Sequence, residues 1–333
     1  MKKFIFLTTI FFTFMTQVSF SQNLISVQNG SSSSFYTTLD LAISNALDGD
    51  TINLPGGSFS FTNTIAKRLH FIGVGINPDS TSATVKTIFS SVYSIFSFEN
   101  GAEFGSLTGI YFTSSLTFNQ VNNYIIDRCL FPALTLSVEC TNITVKNCVV
   151  GNINGSNSQN NMFISTFIYG QVSNFGINNN FKNNFFSYYI PSFYIPGALF
   201  NITGSFISNN IFKQSYNEGW NNNIAKNNIN VPNGLFGNGA SNFGENNYQV
   251  TDIKPLFLNY SGGGYSFTEN YHLQNPTQYT GTDATQVGLY GGAFPWKEGS
   301  IPFNPHFQTV QIAPTTDSTG NLNVNIKVAA QDR

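Results

Sequence analysis

Charged side chains are scarce in this chain. Only 9% of its 333 residues are Asp, Glu, Lys or Arg, and the formal net charge is −2, whereas soluble domains carry about 25% charged residues. The lysines are spread singly along the sequence, so they form no basic stripe. This distribution excludes the electrostatic footprint of a nucleic-acid-binding protein. It also disfavours a cationic groove of the kind that holds an anionic polymer.

Histidine and cysteine are rare as well, with three of each. The histidines are His70, His272 and His306, and none has an acid or a cysteine at ligand spacing. The cysteines are Cys129, Cys140 and Cys148. We therefore predict no metal site and no cofactor. Cys129 and Cys148 either bridge, as export would allow, or pack as reduced thiols.

Long hydrophobic runs are confined to the start of the chain. Two lysines precede an apolar stretch over residues 4–15, and the small residues Ser19 and Ser21 stand just before Gln22. This arrangement is typical of a signal peptide that is removed on export. Because no second hydrophobic span follows, the sequence predicts a secreted or cell-surface protein without a membrane span.

Asparagine is abundant, and it occurs in pairs that recur at nearly one spacing. Each pair precedes an apolar residue: Asn183-Asn184-Phe185, Asn209-Asn210-Ile211, Asn227-Asn228-Ile229 and Asn246-Asn247-Tyr248. Arg128-Cys129-Leu130 and Asn147-Cys148-Val149 fall on the same frame. The second members of these units are 19, 36, 26, 18 and 19 residues apart, and 36 is two units of 18. A period near 19 residues is typical of a stacked solenoid.

Each unit contains short β-prone runs that turn residues separate. Tyr124-Ile125-Ile126 and Ile143-Thr144-Val145 are examples, and both are too short for a helix. Three such strands and three turns fit one turn of a parallel β-helix, whose turns stack about 4.8 Å apart. The alternative, an Asn-rich disordered tract, is disfavoured because the apolar partners keep phase and 15% of the chain is aromatic.

Asparagine suits this coil for two reasons. It tolerates the left-handed backbone of a tight corner, and stacked Asn side chains hydrogen-bond along the coil axis. We therefore predict that one column of aligned corners contains Asn184, Asn210, Asn228 and Asn247.

The ends of the repeat region carry a resemblance to a known family. Residues 38–46 are predicted to form a short amphipathic helix over the open end of the coil. Ala46-Leu47-Asp48-Gly49-Asp50-Thr51-Ile52-Asn53-Leu54-Pro55-Gly56-Gly57 and Phe71-Ile72-Gly73-Val74-Gly75 resemble the N-terminal cap and first turns of right-handed parallel β-helix proteins of the pectin-lyase-like superfamily. Asp252-Ile253-Lys254-Pro255-Leu256-Phe257, Tyr271-His272-Leu273 and the stretch 281–292 are similar to the closing segment of exported members.

The predicted fold class is all-β: a right-handed parallel β-helix solenoid with an N-terminal capping helix and an extended C-terminal tail. The predicted divisions are a signal peptide at 1–21, a flexible lead at 22–36, the capped β-helix domain at 37–292, and a Pro-rich extended tail with a terminal strand at 293–333.

The resemblance implies no single activity, because the superfamily includes lyases, hydrolases, esterases and adhesins. Its lyases carry several Asp with a nearby Arg or Lys, and its hydrolases carry Asn-Thr-Asp, Asp-Asp or Gly-His-Gly; none of these strings occurs here. The outward column is predicted to contain Asp127, Lys146, Lys182, Ser208, Lys226 and Glu245. It has no neighbouring acids, so it is interpreted as a solvated face, and no catalytic residue is predicted.

Tyr216, Glu218 and Trp220 form the candidate substrate-binding site. They lie just after the longest unit, which spans the 26 residues from Asn184 to Asn210, and function tends to lie in the loops of such a region. A Tyr and a Trp can stack on a sugar while the Glu hydrogen-bonds its hydroxyl groups. The alternative is a surface loop with an aromatic side chain packed on the coil.

Two functions compete on this sequence. The first is an exported, non-enzymatic β-helix that binds polysaccharides, glycans or cell surfaces, or serves a structural role. The second is a diverged polysaccharide lyase or glycoside hydrolase of the pectin-lyase-like superfamily. Ice or mineral binding by a flat Thr and Asn face is a third reading.

Overall fold

The computed structural model of the protein describes residues 24–61, 64–79, 83–90, 95–188, 198–214, 219–237, 241–303 and 305–330. Its short strands stack in parallel as a β-solenoid of about 9 turns, which confirms the predicted fold. The predicted signal peptide, residues 1–21, lies outside the described residues. Within the described ranges, no helix combines the length and the apolar character that a membrane crossing requires.

The strands are short because a turn ends each side of the coil. The first half contains β1 (Ile25–Asn29), β2 (Ser32–Tyr36), β3 (Thr51–Asn53), β4 (Gly57–Ser60), β5 (His70–Ile72), β6 (Thr87–Ser90), β7 (Ile95–Phe98), β8 (Ser106–Thr108), β9 (Tyr111–Phe112), β10 (Ser115–Phe118), β11 (Ile125–Asp127), β12 (Leu130–Leu136), β13 (Thr144–Lys146), β14 (Val149–Asn154) and β15 (Met162–Ile164). The second half contains β16 (Phe167–Ile168), β17 (Val172–Phe175), β18 (Asn180–Lys182), β19 (Phe185–Phe186), β20 (Leu199–Thr203), β21 (Phe206–Ser208), β22 (Ile211–Phe212), β23 (Trp220–Asn221), β24 (Ile224–Lys226), β25 (Gly234–Phe236), β26 (Asn242–Glu245), β27 (Phe257–Asn259), β28 (Asn270–Leu273), β29 (His306–Ile312) and β30 (Val324–Ala329).

Two 13-stranded sheets wrap the coil. The first, called the front sheet below, has the order β2-β1-β3-β5-β8-β11-β13-β15-β18-β21-β24-β26-β25. The second sheet covers the other two sides, because its long strands β12 and β14 each pair with two sets of shorter strands. Aromatic side chains fill the interior in stacks: Phe163 lies 5.1 Å from Phe181 and Phe186 lies 4.5 Å from Phe212, measured between ring centroids.

The two members of each Asn pair have different roles. The first members adopt positive φ and turn the chain out of the front sheet: Asn183 (57°), Asn209 (59°), Asn227 (54°) and Asn246 (54°). The second member points into the coil, where its Oδ1 accepts a backbone N–H of the preceding turn. Asn184 N donates to Asn210 Oδ1 at 2.8 Å, and Asn210 N donates to Asn228 Oδ1 at 2.9 Å. Asn228 N donates to Asn247 Oδ1 at 2.8 Å. The predicted column is therefore confirmed.

A second Asn ladder lies at the other end of the front-sheet strands. Asn161 N donates to Asn179 Oδ1 at 2.9 Å, and Asn223 N donates to Asn242 Oδ1 at 3.0 Å. All four side chains are buried. The predicted frame does not include this ladder, although three of its four members, Asn161, Asn179 and Asn223, also follow another Asn.

The N-terminal end of the coil has a helical cap, as predicted. Helix α1 (Leu39–Asn45) begins at Thr38, whose Oγ1 accepts the Leu41 N–H at 3.4 Å, and it buries Leu39 and Ala42. Residues 22–36 were predicted to be a flexible lead, but the described part of this segment, from residue 24, is ordered in strands. There, β1 and β2 form an antiparallel hairpin, and β1 also pairs with β3. Ile25 and Val27 bury their side chains, so the open edge of β3 is covered.

The C-terminal segment runs back along the coil. Residues 279–303, called the strap below, lie on the corner that follows the front-sheet strands. Asn227 Nδ2 donates to Thr280 O at 2.9 Å near the last turns, and Ser300 Oγ donates to Asn147 O at 3.4 Å farther back. The strap contains a 3-10 turn at Glu298–Ser300, and a second 3-10 turn occupies Lys254–Leu256.

Beyond the strap the chain forms a separate hairpin of β29 and β30. The strand predicted over residues 322–328 corresponds to β30. Its partner β29 was not predicted. Together these two strands form a sheet of their own.

Candidate functional site

A groove opens between the front sheet and the strap. Asp127 and Lys146 are register partners on adjacent strands, and Thr108 continues the same outward column. They point outward because the residue before each of the two charged side chains is inward and fully buried, as strand alternation requires. The groove has a volume of about 500 Å³, which lies within the range of small-molecule sites. It is lined by Thr108, Asp127, Arg128, Lys146, Asn147, Ala293, Phe294, Pro295, Lys297 and Phe303.

The floor of the groove is a buried charge cluster. Arg128 Nη1 lies 3.1 Å from Asp127 Oδ2, and Lys146 Nζ lies 3.7 Å from the same oxygen. The Arg128 side chain is only 2% exposed, whereas that of Lys146 is 22% exposed. A charge buried to this degree needs a partner, and Asp127 supplies it. The Lys146 ammonium remains accessible from the groove.

The wall of the groove comes from the strap. The Arg128 guanidinium lies 4.0 Å from the Phe303 ring centroid, and Lys297 Nζ lies 4.3 Å from the same centroid. Lys146 Nζ lies 4.9 Å from the Phe294 ring centroid. These distances are those of cation–π contacts, which hold a cation against an apolar surface. Three cations and two phenyl rings therefore line one groove, and two of the cations, Arg128 and Lys146, contact the Asp127 carboxylate.

Two buried polar atoms of the residues in this lining have no hydrogen-bond partner within the described part of the chain. They are Arg128 Nε, a donor, and Asn147 Oδ1, an acceptor. Buried polar groups are nearly always paired. Both atoms are closed off from the groove itself, so they do not form part of its accessible surface.

The prediction that the lysines are scattered over a solvated face is corrected in part. Lys226 pairs with Glu245 at 2.6 Å and Lys182 pairs with Asp283 at 2.8 Å, so three positions of the outward column, Lys182, Lys226 and Glu245, are neutralised. Lys146 instead shares a groove with Lys297, which lies 151 positions later in the sequence and reaches it only through the path of the strap. The Pro-rich stretch indicated an extended segment lying along the coil, but the repeat did not show which turn that segment would cover.

The structure places only one of the three predicted binding residues. Trp220 is 1% exposed, and its Nε1 donates to Leu199 O at 3.0 Å, so its ring packs inside the coil and offers no face to a sugar. Tyr216 and Glu218 lie outside the described residues. A site at these two positions stays a prediction.

The described residues offer few side chains for acid–base catalysis or metal binding. Within them, no three His, Cys, Asp or Glu side chains come close enough to hold a metal ion. Burial raises the pKa of the Cys129 and Cys148 thiols above the ordinary value. Both cysteines are free and stand in the column that the Asn ladder continues: Cys129 N lies 3.4 Å from Cys148 Sγ. The thiols therefore behave as core residues and not as nucleophiles.

No family model matches the chain, and neither a curated protein nor a solved structure matches it.

Proposed function

We propose that this chain is an exported, non-catalytic β-solenoid that binds an acidic glycan in the groove between Lys146 and the strap. The single observation that carries this proposal is that Arg128, Lys146 and Lys297 line one groove of about 500 Å³. The described lining of this groove contains these three cations and one carboxylate, Asp127.

The chemistry of the lining selects the ligand class. An excess of cations favours a carboxylate or sulfate group, because charge-assisted hydrogen bonds to Arg and Lys are stronger than neutral ones. Phe294 and Phe303 add apolar surface on which a sugar ring can pack.

The second candidate, a diverged lyase or hydrolase, is disfavoured by the same groove. A glycoside hydrolase needs two carboxyl groups about 5–10 Å apart, and Asp127 is the only carboxylate in the described lining. That carboxylate contacts Arg128 and Lys146 and is therefore engaged in ion pairs. Because the described lining holds no calcium-binding set of acids, it does not resemble the groove of a polyuronate lyase.

Export and membership of the pectin-lyase-like superfamily belong to the same proposal. Export rests on the two lysines, the apolar stretch over residues 4–15 and the small residues before Gln22. The superfamily assignment rests on the cap and closing segments quoted above and on the solenoid fold. A surface-exposed or secreted location would bring the groove into contact with extracellular polysaccharides.

Titration calorimetry on residues 22–333 tests the proposal. We expect the chain to bind polygalacturonate or a sulfated glycan and not neutral dextran, with an affinity that falls as salt rises. Lys146→Gln and Lys297→Gln should each weaken binding by about 1–2 kcal/mol, roughly five- to thirtyfold, because each removes a charged hydrogen-bond donor. Lys226→Gln is the matched control, because its ammonium is already paired with Glu245 outside the groove.

Two results would count against the proposal. Equal binding of neutral and acidic glycans would remove the role of the cations, and an equal loss in the Lys226→Gln control would move the site out of the groove. Incubation of the same glycans with the chain, followed by reducing-end and ultraviolet readings, checks for turnover. Release of cleaved or unsaturated products would support the lyase or hydrolase candidate instead.

A further inference from the structure

The C-terminal hairpin has an apolar face that is exposed to solvent. Its cross-strand pairs Phe307–Val328, Val310–Ile326 and Ile312–Val324 place six apolar side chains on one side, and these are 38–59% exposed. Thr309, Lys327, Gln311 and Asn325 occupy the opposite side. A lone two-stranded hairpin is at best marginally stable in water. This amphipathic pattern is typical of a sheet that gains its stability by covering another surface.

The front sheet carries a matching patch on its last turns. Phe206, Ile224, Phe243 and Leu235 are register partners on four consecutive strands, β21, β24, β26 and β25, so they lie side by side on one surface. Their exposed fractions are 50%, 37%, 45% and 69%. Contiguous exposed apolar residues of this kind mark interaction sites. The strap leaves this column uncovered, since it lies on the corner beyond the charged column.

A hairpin cannot reach the patch of its own chain. The hairpin starts beside Pro302 and Pro305, which line one pocket with Leu54 and Ile72 on the first turns of the coil. Six strand spacings of the front sheet separate β5 from β21, or about 29 Å at about 4.8 Å each, and the far side of the patch is about 43 Å away. The seven residues of β29 span about 23 Å. The apolar face of the hairpin therefore ends before the patch begins.

A second copy in antiparallel orientation removes this mismatch. Its first turns then lie beside the last turns of its partner, so each hairpin starts next to the other chain's patch. Such an exchange is self-complementary, as a two-fold dimer interface must be. The net charge of −2 gives little repulsion between copies.

We propose that two copies of this chain pair through an exchange in which each hairpin covers the other copy's patch of Phe206, Ile224, Leu235 and Phe243. A specific interface needs about 1,000 Å² of buried surface, and the two exchanges together place twelve apolar side chains of the hairpins against eight of the patches. The glycan groove lies on the other column of the front sheet, so this pairing does not depend on the proposed ligand.

Sedimentation analysis of residues 22–333 across a range of concentrations tests the pairing. The unmodified chain should be a dimer, and Phe243→Lys or Ile326→Lys should each weaken it at least tenfold and yield monomer. Leu258→Lys is the control for the patch, because Leu258 is 57% exposed on β27. Asn325→Lys is the control for the hairpin, because it lies on the opposite side. A monomer at every concentration, or equal losses in the controls, overturns the proposal.

Cross-linking identifies which chain's hairpin covers the patch, and it does so without relying on the stability of the dimer. Phe243→Cys and Ile326→Cys are made in separate chains, mixed and treated with a short bismaleimide. The native cysteines are fully buried and do not compete. A covalent dimer that forms only in the mixture supports exchange between two copies. A double variant that cross-links within one chain, with no product in the mixture, shows that the hairpin covers its own coil and refutes the proposal.

Discussion

Removal of one rung from the inner Asn ladder should destabilise the whole coil. Asn210 is fully buried, and its side chain makes four hydrogen bonds. Its Nδ2 donates to Phe181 O at 2.7 Å and to Asn228 Oδ1 at 2.9 Å. Its Oδ1 accepts from Asn184 N at 2.8 Å and from Asn184 Nδ2 at 3.0 Å. The substitution Asn210→Ala deletes all four bonds at once.

The expected cost follows from the groups that remain. The Asn184 backbone N–H loses its acceptor inside the coil, and a buried polar group left unpaired costs about 1–3 kcal/mol. The Phe181 carbonyl and the Asn184 amide each lose one bond, and a cavity replaces the deleted atoms. A total of about 3–5 kcal/mol is therefore expected, which is a large part of the 5–15 kcal/mol that usually stabilises a domain.

Urea unfolding followed by tryptophan fluorescence measures this cost. Trp220 and Trp296 are both buried, so both report unfolding. Asn221→Ala is the matched control: Asn221 is exposed on β23, and its loss should change stability by less than about 0.5 kcal/mol. If Asn210→Ala unfolds at the same urea concentration as the control, the ladder does not hold the turns together and the reasoning is refuted.

Three further predictions concern the strap, the thiols and the cap. Burial alone raises the pKa of Asp283, but hydrogen bonds from Lys182 and Thr285 outweigh burial and lower that pKa below its ordinary value. The stability that this shift gives is present above the ordinary pKa and is lost as the pH falls through the lowered pKa. Lys182→Gln should therefore reduce the dependence of the melting temperature on pH at acidic pH. Cys129 and Cys148 should react with a thiol reagent only after unfolding, since burial raises the pKa of both thiols; fast labelling of the native chain would contradict this. Deletion of Leu39–Asn45 should abolish soluble expression, because it uncovers the end of the core; normal yield with an unchanged melting curve would refute the capping role.

The fold was predictable because one residue type, Asn, recurs at the period of the solenoid. Asn183 and Asn184 show why: the first adopts positive φ at the corner and the second satisfies backbone groups of adjacent turns. Few side chains do either task, so the pair recurs wherever both are needed. The ladder through Asn161 and Asn179 was not predicted because the repeat was aligned on one corner of each turn, whereas this ladder lies at another corner and Ser205 interrupts its run of Asn.

The groove was not predictable from the repeat, for a topological reason. Lys297 and Phe303 belong to a segment without period, so spacing cannot assign them to a turn. Phe303 reaches Arg128 only because the strap crosses most of the coil. Trp220 shows the opposite error: it was predicted to be an exposed binding residue, whereas its indole N–H donates to a backbone carbonyl within the core.

The corner column itself determines where the strap binds and where the groove opens. On the later turns the corner residues are Asn, and their amides bond the strap directly: Asn183 Nδ2 donates to Gly288 O at 3.2 Å, and Asn209 Oδ1 accepts Thr282 N–H at 2.9 Å. On the earlier turn the corner residue is Arg128, also at positive φ, and its longer side chain meets Phe303 instead of strap backbone. The short Asn amides hold the strap backbone directly against the coil, whereas a phenyl ring lies between the Arg128 guanidinium and the strap backbone. Arg128, which departs from the Asn pattern, therefore lies where the strap leaves room for a ligand.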